Sequence, residues 1–120
     1  MITALMLKPG EQPCTTQIVD SRNFLNCAVS LDADFVCTAA AVPVERGVVA
    51  IYAWEGLMAG LKANRKVGKR ILCGTFYVVR EIDGDLYSLS PEDIVKYTFK
   101  LGKIKEYTDD EVVDSWLDGL

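Results

Sequence analysis

Histidine is missing from all 120 residues, and four cysteines are the only soft metal ligands of note. Without histidine the usual general base at neutral pH is gone, and with it every triad of Ser-His or Cys-His type. The cysteines, Cys14, Cys27, Cys37 and Cys73, never form a C-x-x-C pair. Zinc sites usually show close-spaced ligand pairs, with histidine the commonest companion of cysteine. A four-cysteine site gathered from scattered positions is the weaker reading. Each cysteine lies in or beside an apolar stretch, where a free thiol acts as a small hydrophobe. Nucleophilic activity at Cys73 would need its pKa lowered by Lys69 and Arg70. No apolar run approaches the roughly 18 residues that span a bilayer. The N-terminus has no basic leader, and Ile2 to Leu7 runs into Lys8-Pro9-Gly10 as a strand entering a turn. That differs from a signal peptide, so the expected compartment is the cytoplasm, without membrane attachment. P-loop, G-x-S-x-G and strand-following G-x-G-x-x-G patterns are missing too. Non-enzymatic function is expected, with no cofactor and no metal.

What is present suits one domain spanning residues 1–120. Half of the chain is apolar, enough to offset ordering entropy without a disulfide or metal staple. The net charge of −4 is unevenly spread. Lys62, Arg65, Lys66, Lys69, Arg70 and Arg80 follow one another without a carboxylate between them. Glu106, Asp109, Asp110, Glu111, Asp114 and Asp118 follow without a base. The basic run could hold phosphate, face the acidic tail of its own chain or a partner, or simply be solvated. Overall acidity makes nucleic acid an unfavoured partner.

Periodicity and turn chemistry predict an α+β fold with a mainly antiparallel sheet, one short helix in the N-terminal half and two C-terminal helices. Ile2 to Leu7 and Thr15 to Val19 read as paired strands. Asp20 or Ser21 caps a short helix bearing Phe24, Leu25, Ala28 and Val29. Phe35 to Val42 and Val48 to Trp54 read as further strands around a Glu45-Arg46-Gly47 turn. Glu55 to Arg70, interrupted by glycines, reads as a loop with one helical turn near Leu57 to Leu61. The strongest element is a β-hairpin from Ile71 to Leu89, its first strand running to Ile82, its turn Asp83-Gly84 of type I′. Ser90-Pro91-Glu92-Asp93 starts a helix carrying Ile94, Val95, Thr98, Phe99 and Leu101. Thr108 to Glu111 forms a capping box for a last helix with Val112, Val113, Trp116 and Leu117 on one side.

Asn64-Arg65, Ile71, Gly74-Thr75-Phe76-Tyr77-Val78-Val79, Asp85 to Ser90, Glu92 and Tyr97 form a spaced pattern. It resembles a family of small proteins of bacteria, phages and conjugative elements, catalogued as domain of unknown function 3846. That family's pattern reads N-R, then G-T-F, then S-L followed by Ser or Thr. The resemblance covers roughly Ile2 to Phe99, which makes residues 1–101 a family-like body and 102–120 an acidic helical extension. It implies an accessory protein of a phage or mobile element and no particular reaction.

Two functions follow from these residues. The first is binding of a host macromolecule, a host protein in particular, with Asp109, Asp110, Asp114 and Trp116 as candidate contacts. The second is binding of a nucleotide-like or phosphate-bearing ligand by Asn64, Arg65, Lys69, Arg70, Gly74, Thr75 and Tyr77. Arginine supplies a planar fork, glycine allows close approach, and tyrosine stacks on a base. An ordinary structural role for the same residues, with Arg65 pinning its loop, is equally physical. An exposed strand edge or the terminal helix could also build a homodimer.

Overall fold

The computed structural model describes residues 1–117; Asp118, the last acid of the C-terminal run, lies outside the described residues. Two cores, one on each face of a central antiparallel sheet, organise the chain. The strands are β1 (Ile2–Leu7), β2 (Cys14–Ile18), β3 (Ala39–Glu45), β4 (Val48–Ala53), β7 (Phe76–Ile82) and β8 (Asp85–Tyr87), in the order β2-β1-β7-β4-β3, with β8 pairing β7. β5 (Ala63–Val67) and β6 (Arg70–Cys73) form a separate two-stranded sheet. β4 is buried at every position because both of its faces are covered. Val48, Ala50 and Tyr52 enter one core; Val49, Ile51 and Ala53 enter the other. The same alternation places Phe76 and Val78 opposite Tyr77 and Val79.

Helix α1 (Arg22–Ala28) covers one face through Leu25 and Ala28, followed by the buried Val29. Of the two expected caps, Ser21 is used: its hydroxyl accepts from the Phe24 N–H. The other face is covered by the small sheet and by α2 (Pro91–Leu101) with Tyr97 and Leu101. The capping box of α2 is reciprocal, the Asp93 N–H donating to Ser90 Oγ at 3.1 Å and the Ser90 N–H to Asp93 Oδ2 at 3.0 Å. Asp93 then holds Arg80 of β7 in a two-bonded ion pair, at 2.9 and 2.7 Å, tying helix to sheet. Helix α3 (Asp109–Leu117) begins with the Thr108–Glu111 box and packs on β6.

Several sequence expectations change. The strand expected from Ile71 to Ile82 is two strands in different sheets, because Gly74 has φ +83° and turns the chain between them. The hairpin itself is β7–β8, with Asp83 (φ 52°) and Gly84 (φ 85°) in the left-handed conformations of a type I′ turn. The expected loop from Glu55 to Arg70 contains β5, whose buried Asn64, Arg65 and Val67 gave no alternating apolar signal. β3 starts at Ala39, leaving Phe35 and Val36 exposed. On α2 the inward residues are Asp93, Ile94, Tyr97 and Leu101, whereas Val95 and Phe99 face solvent. On α3 Val112, Ser115 and Trp116 face the body, and Val113 and Leu117 are exposed.

Candidate functional site

The residues expected to hold a ligand are dispersed over the fold, and the polar groups of Asn64, Arg65, Thr75 and Tyr77 bond to the chain itself. Asn64 and Arg65 are buried at the start of β5. The Asn64 amide donates to the carbonyls of Leu7 and Gly74, both at 2.8 Å, joining β1 to the turn between β6 and β7. Arg65 donates to the Leu101 carbonyl at 3.1 Å, to Lys8 at 2.8 Å, to Glu11 at 2.5 Å and to Asn64 Oδ1 at 2.8 Å. No carboxylate pairs with it among the described residues. Burial lowers its pKa, but a guanidinium stays charged, so carbonyl dipoles neutralise the cation. One side chain thereby fastens the loop after β1, the start of β5 and the C-terminal end of α2.

Thr75 and Tyr77 belong to the opposite face. The Thr75 hydroxyl donates to Asp32 at 3.1 Å, and the Tyr77 hydroxyl donates to the Ala28 carbonyl at 2.9 Å behind α1. Burial, assisted by the Asp32 charge, pushes the Tyr77 phenol up to about 12. Gly74 is needed as glycine for its φ and because a Cβ would stand 2.7 Å from Leu61 Cδ1. Lys69 is exposed in the β5–β6 turn, and Arg70 lies over the Trp116 ring at 4.8 Å. Asn64 and Arg65 thus bond within the chain on one side of the main sheet and Thr75 and Tyr77 on the other.

The acidic helix also turns partly inward. The Trp116 indole N–H donates to the Ile71 carbonyl at 2.9 Å, and its ring lies 5.7 Å from that of Tyr52. Ser115 Oγ accepts the Ile71 N–H at 3.0 Å. Trp116 is therefore a docking residue of the chain's own helix, while Asp109, Asp110 and Asp114 remain on the surface. Hydrogen bonds from Thr108 hold the Glu111 carboxyl below its ordinary range, with smaller help from Lys105 and Lys66. The basic run thus meets its own acidic helix through Arg70 on the Trp116 ring and through Lys66 near Glu111.

Burial pushes the Cys73 thiol up to about 11 and raises that of Cys37, so both are neutral at physiological pH. Among the described residues no three of His, Cys, Asp and Glu gather as metal ligands. A cleft of about 550 Å³ opens between the body and the extension, lined by Leu57, Leu61 and Cys73 on one side and Ile104, Tyr107 and Val112 on the other.

A second groove was not anticipated from sequence. It is about 270 Å³, lies between β2 and α1, and is lined by Thr16, Ile18, Phe24, Cys27, Leu31 and Tyr77, with no charged side chain. Its outer wall, Phe24 and Leu31, is 36% and 56% exposed. Beside it β2 forms one edge of the main sheet. The opposite edge, β3, carries Pro43 and a register shift between Pro43 and Glu45, devices that discourage further pairing. The β2 sequence Cys-Thr-Thr-Gln-Ile has neither charge nor proline. That difference is written in the sequence, but it acquires meaning only when both strands are edges.

The fold and these surfaces define a small α+β domain with a six-stranded antiparallel sheet covered on both faces. The chain belongs to the family described as Domain of unknown function (DUF3846), whose model matches residues 2–102 and so ends just past α2. No curated protein and no solved structure matches the chain.

Proposed function

We propose that this protein is a non-catalytic accessory protein of a bacterial phage or mobile element, acting in the cytoplasm by binding a host protein through strand addition at β2. The observation that carries this reading is the edge itself. An edge strand turns alternate N–H and C=O groups outward as a pairing template, and β2 has no charge or proline to block it. The neutral groove beside it, lined by Ile18, Phe24 and Leu31, would take every second side chain of an added strand. Backbone pairing then supplies affinity, and the groove selects apolar, uncharged side chains. The lack of histidine and the raised thiols of Cys37 and Cys73 favour binding over catalysis.

Selection of short random peptides on the purified protein tests the proposal. Enriched peptides should alternate apolar residues, perturb the amide resonances of Cys14–Ile18, and bind at least tenfold more weakly to Leu31→Asp, a loss of about 1.4 kcal/mol. Failure to enrich any sequence, or binding indifferent to Leu31→Asp, would overturn it. Defence or conjugation genes beside this one are expected, and a neighbourhood of housekeeping genes would count against the mobile-element assignment.

A further inference from the structure

We propose that two copies of this chain associate through their C-terminal helices, the outer face of α2 in each copy packing against the outer face of α3 in the other. Both helices lie over the same face of the main sheet: Tyr97 and Leu101 of α2 belong to its core, and Trp116 of α3 packs against it. Each carries one exposed apolar pair, four residues apart and hence on one side of a helix, Val113 of α3 also standing at the rim of the cleft between body and extension. On α2 the pair is Val95 and Phe99, 72% and 91% exposed; on α3 it is Val113 and Leu117, 42% and 57% exposed. A phenylalanine so nearly naked on a regular helix is costly surface in water.

The charges around the two pairs are opposite. Lys96, Lys100 and Lys103 recur along α2 and its end, beside Phe99, with Glu92 in the first turn as the one exposed acid of that helix. Asp109, Asp110 and Asp114 recur along α3, beside Val113. Only two ion pairs form among the described residues, Arg80 with Asp93 and Lys96 with Glu45. Lys100 and Lys103 are therefore without an ion-pair partner there, and so are the three aspartates. A two-fold axis brings both helix pairs together at once, lysine stripe on aspartate stripe with the apolar pairs between them, because an isologous contact repeats itself. An acidic or a basic foreign protein would satisfy one helix and repel the other; a second copy satisfies both. The interface leaves the β2–α1 groove free, since α1 lies over the opposite core.

Sedimentation equilibrium on the full chain, with charge-swapped variants at exposed positions, provides the test. Wild-type protein should show twice its 13.3 kDa chain mass, and added salt should weaken the association by screening the stripes. Lys100→Glu with Lys103→Glu should be monomeric, and so should Asp110→Lys with Asp114→Lys. Mixing the two variants should restore a dimer, because each then offers the charge the other lacks. Monomeric wild-type protein at high micromolar concentration and low salt would overturn the proposal. So would a dimer that persists in both variants, or a mixture that stays monomeric. Circular dichroism of each variant confirms the fold, and Phe99→Ser provides a charge-independent arm that should also be monomeric. Peptide binding at β2 should be unchanged in every variant, so failure here and failure of the strand-addition reading are separately visible.

Discussion

Replacing Arg65 by alanine should destabilise the protein by about 3–5 kcal/mol, the range for removing one member of a buried charged network. The side chain is 3% exposed and makes four hydrogen bonds, three of them to main-chain carbonyls of Lys8, Glu11 and Leu101. At about 1.5–3 kcal/mol for each bond to a charged group, simple addition would exceed that figure. Two terms reduce it. The Lys8 and Glu11 carbonyls lie in a partly exposed loop that water can reach, and removing the cation also removes its cost of burial. For a chain of this length the loss corresponds to a fall in Tm of about 12–20 °C. Arg65→Lys should recover less than half of it, because one ammonium cannot reach three separated carbonyls as a planar fork does. Urea unfolding followed by circular dichroism measures both variants. A loss below about 1 kcal/mol in Arg65→Ala, or near-wild-type stability in Arg65→Lys, would refute the fastening role. A ligand-anchoring arginine would instead leave stability unchanged or improved on removal.

Gly84→Ala should cost about 1 kcal/mol, the left-handed backbone penalty alone, since nothing stands within 4 Å of its added Cβ. Gly74→Ala should cost clearly more, because the same penalty is joined by the 2.7 Å approach to Leu61; equal losses in urea would refute the steric argument. Asp93, held well below the usual carboxylate range chiefly by Arg80, contributes stability that is complete above its unfolded pKa of about 3.9 and is lost as pH falls toward its folded value. The stability margin of wild type over Asp93→Asn should accordingly hold steady above about pH 5 and narrow progressively as pH is lowered from there toward pH 2, and a constant margin over that range would refute the assignment. An aromatic disulfide reagent at neutral pH should label Cys14 and Cys27 quickly and the buried Cys37 and Cys73 only on unfolding; fast labelling of all four would contradict their placement.

Elements marked by local chemistry are legible in the sequence alone. The Asp83-Gly84 turn, the Ser90 and Thr108 caps and the paired first strands need only neighbouring residues to be recognised, and each is where the sequence placed it. What depends on distant partners is not legible. β5 reads as Ala-Asn-Arg-Lys-Val, and its buried polar residues make sense only beside Leu7, Lys8, Gly74 and Leu101. Asp32, which receives the Thr75 hydroxyl from 43 positions away, carries no signal at all. Val95 and Phe99 mislead for a related reason: the inward face of α2 is set by the Asp93–Arg80 pair and Tyr97, not by its most apolar residues. The Asn-Arg and Gly-Thr-Phe pattern is plain in the sequence, but its purpose is not. Its residues face inward, so what it encodes at these positions is the joining of segments.

The docking of α3 on the small sheet has a consequence for anything that would bind there. Ile71, Cys73 and Val112 share a core that lies at the boundary between the family-matched residues and the extension. The segment 102–108 joins α3 to α2 by a short tether, and a short tether keeps its cargo at an effective concentration in the millimolar range. A foreign segment present at micromolar concentration would meet this surface already occupied. To displace the helix it would have to bind more tightly by a factor of about a thousand, or about 4 kcal/mol. The extension thus behaves as a resident competitor, reserving one face of the domain for the chain that carries it.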